Sequence, residues 1–123
     1  MGARMLIVDD QKGVRRLLEE LFRSEGWDVR MAVDGREAID KVDEQIPDLV
    51  LMDVKMPNMN GLEASQVIMN KHPDIPIIMM TAYGEIEVVN QALEAGVRKC
   101  ISKPFDILDL RNIVNELMLE LAT

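Results

Sequence analysis

The chain reads as an α/β protein: a doubly wound sheet of five parallel strands with five helices on its two faces. Three observations predict this. Five short apolar runs alternate with five segments whose apolar residues fall at helical spacing. Strict alternation requires a crossover between successive strands, and crossovers give parallel pairing with right-handed connections and helices on both faces. The central run, Leu49-Val50-Leu51-Met52, is apolar at every position, as a strand covered on both faces must be.

The first strand is Met5-Leu6-Ile7-Val8, which runs out into Asp9-Asp10. Over residues 13–24, Val14, Leu17, Leu18, Leu21 and Phe22 fall at helical spacing, and Gly26 stops that helix. Residues 27–33 make the second strand. Asp34-Gly35 then turns the chain into a second helix marked by Ala38, Ile39, Val42 and Ile46. Pro47-Asp48 breaks this helix before the central strand, which ends in Asp53. The next segment continues neither as strand nor as helix, because Pro57 lacks a backbone donor and Asn58, Asn60 and Gly61 favour turns. Leu62, Val67, Ile68 and Met69 mark the third helix, stopped by His72-Pro73-Asp74. Residues 75–80 form the fourth strand, ending at Thr81-Ala82-Tyr83-Gly84. Ile86, Val89, Ala92 and Leu93 mark the fourth helix, which Gly96 ends. Residues 97–101 form the fifth strand, ending at Ser102-Lys103-Pro104-Phe105. Asp106 caps the last helix, with Ile107, Leu110, Ile113, Val114, Leu117 and Leu121 on its inner face. No linker, repeat or low-complexity tract interrupts the series, so residues 1–123 read as a single domain.

Composition removes several classes of function. A net charge of −8 argues against direct nucleic-acid binding, which needs a basic surface. No apolar run approaches membrane-spanning length and no basic-then-apolar leader is seen, so a cytoplasmic protein without a membrane partner is expected. One cysteine, Cys100, excludes an internal disulfide, and one histidine, His72, excludes a multi-histidine metal site. His72, at a helix end before Pro73, reads as a solvated surface residue. Ten methionines read chiefly as core gap-fillers.

The chemistry lies where strands end. In an open parallel sheet, ligands bind beyond the carboxyl ends of the strands. The strand order 2-1-3-4-5 is adopted from known doubly wound sheets of this size. With neighbouring strands about 4.8 Å apart, that order sets Asp9 and Asp10 on one side of Asp53 and Thr81 on the other. Lys103 ends one strand further out, within reach only of a long side chain. Asp10 alone would be an ordinary helix cap, and Thr81 and Lys103 alone would be uninformative. The coincidence at four strand ends carries the argument. Three clustered carboxylates repel, by about 4 kcal/mol per pair at 4 Å and an effective dielectric of 20. Such a cluster suits a hard divalent cation with oxygen ligands, and Mg2+ best when waters remain bound. With the Lys103 ammonium and the Thr81 hydroxyl opposite, the site offers the positioning and charge neutralisation that phosphoryl transfer needs. Asp53 is the nucleophile in this reading, forming an aspartyl phosphate.

These motifs together resemble response-regulator receiver domains along the whole chain, a flavodoxin-like fold. The matching stretches are Leu6-Ile7-Val8-Asp9-Asp10, Asp48-Leu49-Val50-Leu51-Met52-Asp53 with Met56-Pro57 and Gly61, Met80-Thr81-Ala82, and Lys103-Pro104-Phe105. The resemblance implies that Asp53 is the phosphoacceptor. It implies that Asp9, Asp10, Asp53 and the backbone carbonyl of Lys55 hold Mg2+ or Mn2+. It implies that Thr81, Lys103 and the amides of Lys55 and Ala82 contact the phosphoryl oxygens, that Lys103-Pro104 is cis, and that the donor is a sensor histidine kinase. Val8-Asp9-Asp10-Gln11 with Gly13, Met80-Thr81-Ala82-Tyr83-Gly84-Glu85 and Lys103-Pro104-Phe105-Asp106 are similar to the stand-alone receivers of sporulation phosphorelays. Those pass the group on to a histidine phosphotransferase, and a phosphatase is a further possible partner. Lys55 and Tyr83 occupy the positions that tune phosphate lifetime in the family and are expected to screen Asp53 from water. One departure is Cys100, where receivers that switch an output domain often carry an aromatic residue.

A phosphohistidine must approach Asp53 closely, so its carrier is expected to dock on Gly13, Val14, Leu17, Pro104 and Phe105. Alternatives are a receiver cut from a longer DNA-binding regulator and a stand-alone receiver acting by protein binding. A Mg2+-dependent phosphatase of the haloacid-dehalogenase type wants a second acid where Lys55 stands. A flavin carrier wants a Gly- and Ser/Thr-rich loop in place of Asp9-Asp10-Gln11-Lys12. Whether the chain counts as an enzyme is left open, leaning against: it would catalyse only its own phosphorylation and slow dephosphorylation.

Overall fold

The computed structural model describes residues 2–122. Five strands, β1 (Arg4–Val8), β2 (Asp28–Ala32), β3 (Leu49–Asp53), β4 (Ile77–Ala82) and β5 (Lys99–Lys103), alternate with five helices. These are α1 (Lys12–Ser24), α2 (Gly35–Glu44), α3 (Gly61–Lys71), α4 (Ile86–Ala95) and α5 (Ile107–Ala122). The strands form one parallel sheet in the order β2-β1-β3-β4-β5, as expected.

Side-chain alternation along each strand divides the core in two. Met5, Ile7, Leu49, Leu51, Ile78 and Met80 face α1 and α5, where they pack with Leu18, Phe22, Leu110, Val114 and Leu117. Leu6, Val8, Val50, Met52, Ile77 and Met79 face the other way, against Ala38, Val42, Ala64, Ile68 and Ala92 of α2, α3 and α4. Four methionines, Met5, Met52, Met79 and Met80, are fully buried, in keeping with the gap-filling reading.

Differences from the sequence expectation fall mostly at element edges. β4 and β5 begin two residues later than expected and run on through Ala82 and Lys103. Pro76 has no backbone donor for the ladder, while its carbonyl accepts from Val50, so pairing starts at Ile77. Ile46 lies beyond α2 and is exposed, and Leu121 is on the open side of α5. In α4 only Ala92 is buried: Ile86 and Leu93 are exposed, although their spacing matches an inner face. His72 is not simply solvated. It is the C-cap residue of α3, and its Nε2 lies 3.3 Å from Asp43 Oδ1, with Lys71 Nζ 3.2 Å from the other oxygen of the same carboxylate. Those two hydrogen bonds, from His72 and then Lys71, lower the Asp43 pKa. Among the described residues no helix is long and apolar enough to cross a membrane.

Candidate phosphoryl and metal site

The alternation that sorts the core also assembles the site. Asp53 continues the set Leu49 and Leu51, Asp9 the set Met5 and Ile7, and Lys103 follows Ile101 by two. All three therefore belong to the α1/α5 face at the carboxyl end of the sheet. Ligand atoms of Asp9, Asp10 and Asp53 lie within 4.8 Å of one another. Asp9 and Asp53 are buried and Asp10 is exposed, which leaves one open side.

Asp9 is tied down most firmly. Its Oδ1 accepts from the Gln11 amide at 2.9 Å and its Oδ2 from Lys103 Nζ at 2.7 Å. Its own carbonyl accepts from Arg15 Nη1 at 2.8 Å. Asp10 does not cap α1, the alternative its position before the helix had offered: the N-cap residue is Gln11, without a side-chain cap, and its amide donates to Asp9. Lys103 does reach back from β5: its Nζ is also 3.4 Å from Asp53 Oδ1. Burial works against its ammonium, but the Asp9 hydrogen bond and the charges of Asp53 and Asp9 outweigh this and raise its pKa. Burial first, then the charge of Asp9 and in smaller part Asp10, pushes the Asp53 carboxyl up to about 6, against the pull of Lys103. The cluster therefore carries more negative charge than one ammonium neutralises. Its donors are all carboxylate oxygens with room for water on the Asp10 side. This donor set fits a hard divalent cation such as Mg2+.

The loop of residues 54–60 is moored on α2 and β3. Asn58, at φ 69°, donates from Nδ2 to Asp34 Oδ2 at 2.8 Å. The other Asp34 oxygen caps α2 by accepting from the Glu37 amide at 2.9 Å, and the Gly35 amide donates to the Met59 carbonyl. Asn60 caps α3 through the Glu63 amide. Gly61 packs so tightly that a Cβ there would lie 1.9 Å from the Asp53 carbonyl oxygen. Sequence reasoning read Asp34 and Asn58 only as turn residues, and Gly61 as a turn residue within the receiver-like stretch. Their contacts are long-range and leave no local signal.

Thr81 and the Ala82 amide have other partners in this structure, and Tyr83 is exposed. Thr81 belongs to the opposite alternation set, with Ile77 and Met79, and its hydroxyl donates to the Ile101 carbonyl at 3.5 Å rather than to Asp53. The Ala82 amide donates to Glu85 Oε1 at 3.1 Å, a contact not anticipated. Tyr83 is 88% exposed, whereas Lys55, also exposed, lines the groove at Asp53. Cys100 packs on the α2–α4 face, where burial raises its thiol pKa, the setting of an unreactive cysteine. The Lys103-Pro104 peptide is cis.

A groove of about 650 Å³ runs from Asp10, Asp53, Lys55 and Lys103 to Val14, Leu17 and Phe105. Leu17 is 46% exposed, so it is not core, whereas Val14 and Phe105 are half-buried against the α1/α5 cluster. Gly13 faces open space.

Residues 5–115 match the response regulator receiver domain family, and the chain belongs to it. It is 41% identical to sporulation initiation phosphotransferase F of Bacillus subtilis over 94% of both chains. It is 42% identical to the chemotaxis protein CheY of Thermotoga maritima, over 85% of this chain and 88% of that one. It is 40% identical to the regulatory protein AtoC of Escherichia coli, but spans only 24% of that protein. A CheY-like receiver from Methanospirillum hungatei superposes with a TM-score of 0.93 at 30% identity, covering 98% of this chain and 96% of that one. CheY in a CheX-CheY-BeF3-Mg2+ complex from Borrelia burgdorferi superposes with a TM-score of 0.89 at 31% identity, covering 94% and 89%. The chain is thus a receiver domain of the two-component class.

Proposed function

We propose that this receiver is a phosphorelay intermediate. Asp53 accepts a phosphoryl group from the phosphohistidine of a sensor kinase and passes it to a histidine of a second phosphotransferase, in the cytoplasm. In the first step an Asp53 carboxylate oxygen attacks phosphorus and forms the new O–P bond. The P–N bond breaks, its electron pair stays on the imidazole nitrogen, and that nitrogen takes up a proton. In the second step an acceptor imidazole attacks the same phosphorus, and the O–P electron pair returns to Asp53.

Asp9, Asp10, Asp53 and the Lys55 carbonyl would hold Mg2+, which when bound neutralises the negative charge gathered in the pocket. Lys103 sets its ammonium against the incoming phosphoryl oxygens. Thr81 and the amides of Lys55 and Ala82 donate to those oxygens once the β4–α4 turn has moved.

The observation that carries the relay reading is the continuity of the groove: its apolar wall of Val14, Leu17 and Phe105 joins the acidic pocket without a break. A helix bearing a phosphohistidine needs an apolar anchor beside a reactive carboxylate, and apolar anchors dominate docking energy. The end-to-end likeness to a stand-alone phosphotransferase supports the same reading. The test compares Val14→Ala and Phe105→Ala with the parent, using a phospho-kinase and acetyl phosphate as donors. Transfer from the kinase should fall while labelling by acetyl phosphate persists. Equal loss from both donors would mean that these residues support the fold or the site rather than a partner. A second reading, a receiver that signals through a longer regulator, draws on the AtoC likeness.

A further inference from the structure

The residue that makes the Ala82 amide unavailable is itself an anion. Glu85 Oε1 accepts from the Ala82 amide at 3.1 Å, and the Glu85 amide donates back to the Ala82 carbonyl at 3.3 Å. Gly84, at φ +84°, provides the left-handed residue that folds this turn onto itself. Glu85 stands at the N-cap position of α4, yet its half-buried carboxylate makes no hydrogen bond to that helix. Its acceptor capacity is spent backwards, on β4. Ala82 lines the groove with Asp53, Lys55 and Lys103, so the occupied amide belongs to the site. The Thr81 hydroxyl makes a long contact of 3.5 Å with the Ile101 carbonyl.

We propose that Glu85 is a gate on phosphoryl acceptance: its carboxylate occupies, as an internal anion, the Ala82 amide that a phosphoryl group on Asp53 requires. The inference rests on the phosphoacceptor reading above. One N–H cannot serve two anions, so each transfer to Asp53 must expel Glu85 from the amide. Expulsion opens the turn at residues 82–85 and frees the start of α4. Glu85 thereby slows acceptance and links occupancy of Asp53 to the exposed face of α4, where Ile86 is 71% accessible. Glu85 touches neither the reacting atoms nor the metal ligands, so it acts as a positioning residue.

The experiment measures initial labelling by acetyl phosphate with Mg2+, a donor too small to need the docking surface. Parent, Glu85→Ala, Glu85→Gln and Asp53→Asn are compared. Glu85→Ala should be labelled roughly threefold to tenfold faster than the parent, as for a charge-assisted hydrogen bond partly screened by water. Glu85→Gln, which keeps a weaker acceptor, should gain less. Titration with beryllofluoride, followed through the Ala82 amide resonance, should show tighter binding by a similar factor, a signature that a merely structural role would not produce. Should Glu85→Ala unfold, the near-isosteric Gln variant carries the test. Labelling of the parent with no gain in either folded variant overturns the gate alone. Absence of labelling in the folded, Mg2+-supplied parent overturns the phosphoacceptor reading and the gate together.

Discussion

The two flanks of Asp53 are built to different standards. On the β1 side, Asp9 is fully buried and hydrogen-bonded through both carboxylate oxygens and its carbonyl. The loop after β3 is held by Asp34, Asn58 and the tight packing of Gly61. On the β4 side, Thr81 and the Ala82 amide point to partners other than Asp53, and Tyr83 and Ile86 stand in solvent. On the proposed reading, the carboxylate cluster and Lys103 are already in place, while the Thr81 and Ala82 donors would have to be rebuilt. Division of this kind suits a switch: a rigid half fixes chemistry, while a loosely held half supplies the low-stability segment that can move.

The largest effect that would break this comparison is at its centre. Asp53→Asn should abolish labelling by acetyl phosphate, read on a phosphate-affinity gel, because no carboxylate nucleophile remains. In chelator the same variant should melt a few degrees above the parent, since it removes a charge from the crowded carboxylates. Added Mg2+ should narrow that gap by favouring the parent. Full labelling of Asp53→Asn would remove the site reading altogether.

Next in size is Gly61→Ala. A methyl group there would collide with the Asp53 backbone, and neither Asp53 carbonyl carbon nor oxygen can yield without moving β3. A loss of about 3 kcal/mol in chemical denaturation is expected for such overpacking. A near-neutral result would mean that the rigid flank is softer than its contacts suggest.

Much of this was legible in the sequence, and the exceptions have physical causes. The fold class followed from alternating apolar runs, and Asp9, Asp10, Asp53 and Lys103 converged because strand ends and side-chain parity are periodic features. Parity also put Thr81 on the opposite set, but its hydroxyl chooses among neighbours that no single sequence reveals. The apolar spacing of α4 marked the helix but not which of its residues are covered: Ala92 is buried while Ile86 and Leu93 are exposed. Mooring of the loop by Asp34 and Asn58 spans 24 positions, beyond any local motif. Glu85 was visible only as part of a motif; its hydrogen bond depends on the conformation of the turn at Gly84.

A smaller effect is expected at Asp34. It caps α2 and holds Asn58, so Asp34→Ala should cost about 1 kcal/mol at neutral pH and weaken Mg2+ binding by loosening the loop that carries Lys55. Hydrogen bonds from the Glu37 amide first, then from Asn58, hold the Asp34 carboxyl below the usual carboxylate range. A carboxylate whose folded pKa is depressed stabilises fully above the unfolded value and loses that contribution as pH falls through the folded one. The stability gap between parent and Asp34→Ala should therefore be constant above about pH 5 and shrink below pH 4. A gap that widens on acidification would contradict the assignment.

The smallest expected effect tests the open flank. Tyr83 is 88% exposed and sits in the turn that Glu85 closes. Removing an exposed ring that packs on nothing should change stability by less than about 0.5 kcal/mol, so Tyr83→Ala isolates function from folding. If the turn keeps its present shape after phosphorylation, the ring stays in solvent and the lifetime of the Asp53 phosphate is unchanged. Lys55→Ala, at a residue that does line the groove, should then alter that lifetime more. If the turn opens when Glu85 leaves the Ala82 amide, Tyr83 travels with it and can shield the aspartyl phosphate from water. Phosphate release from the labelled Tyr83→Ala variant, timed against the parent, separates the two. Unchanged release keeps Tyr83 outside the rebuilt half of the site, whereas release accelerated severalfold at unchanged stability makes the ring part of it.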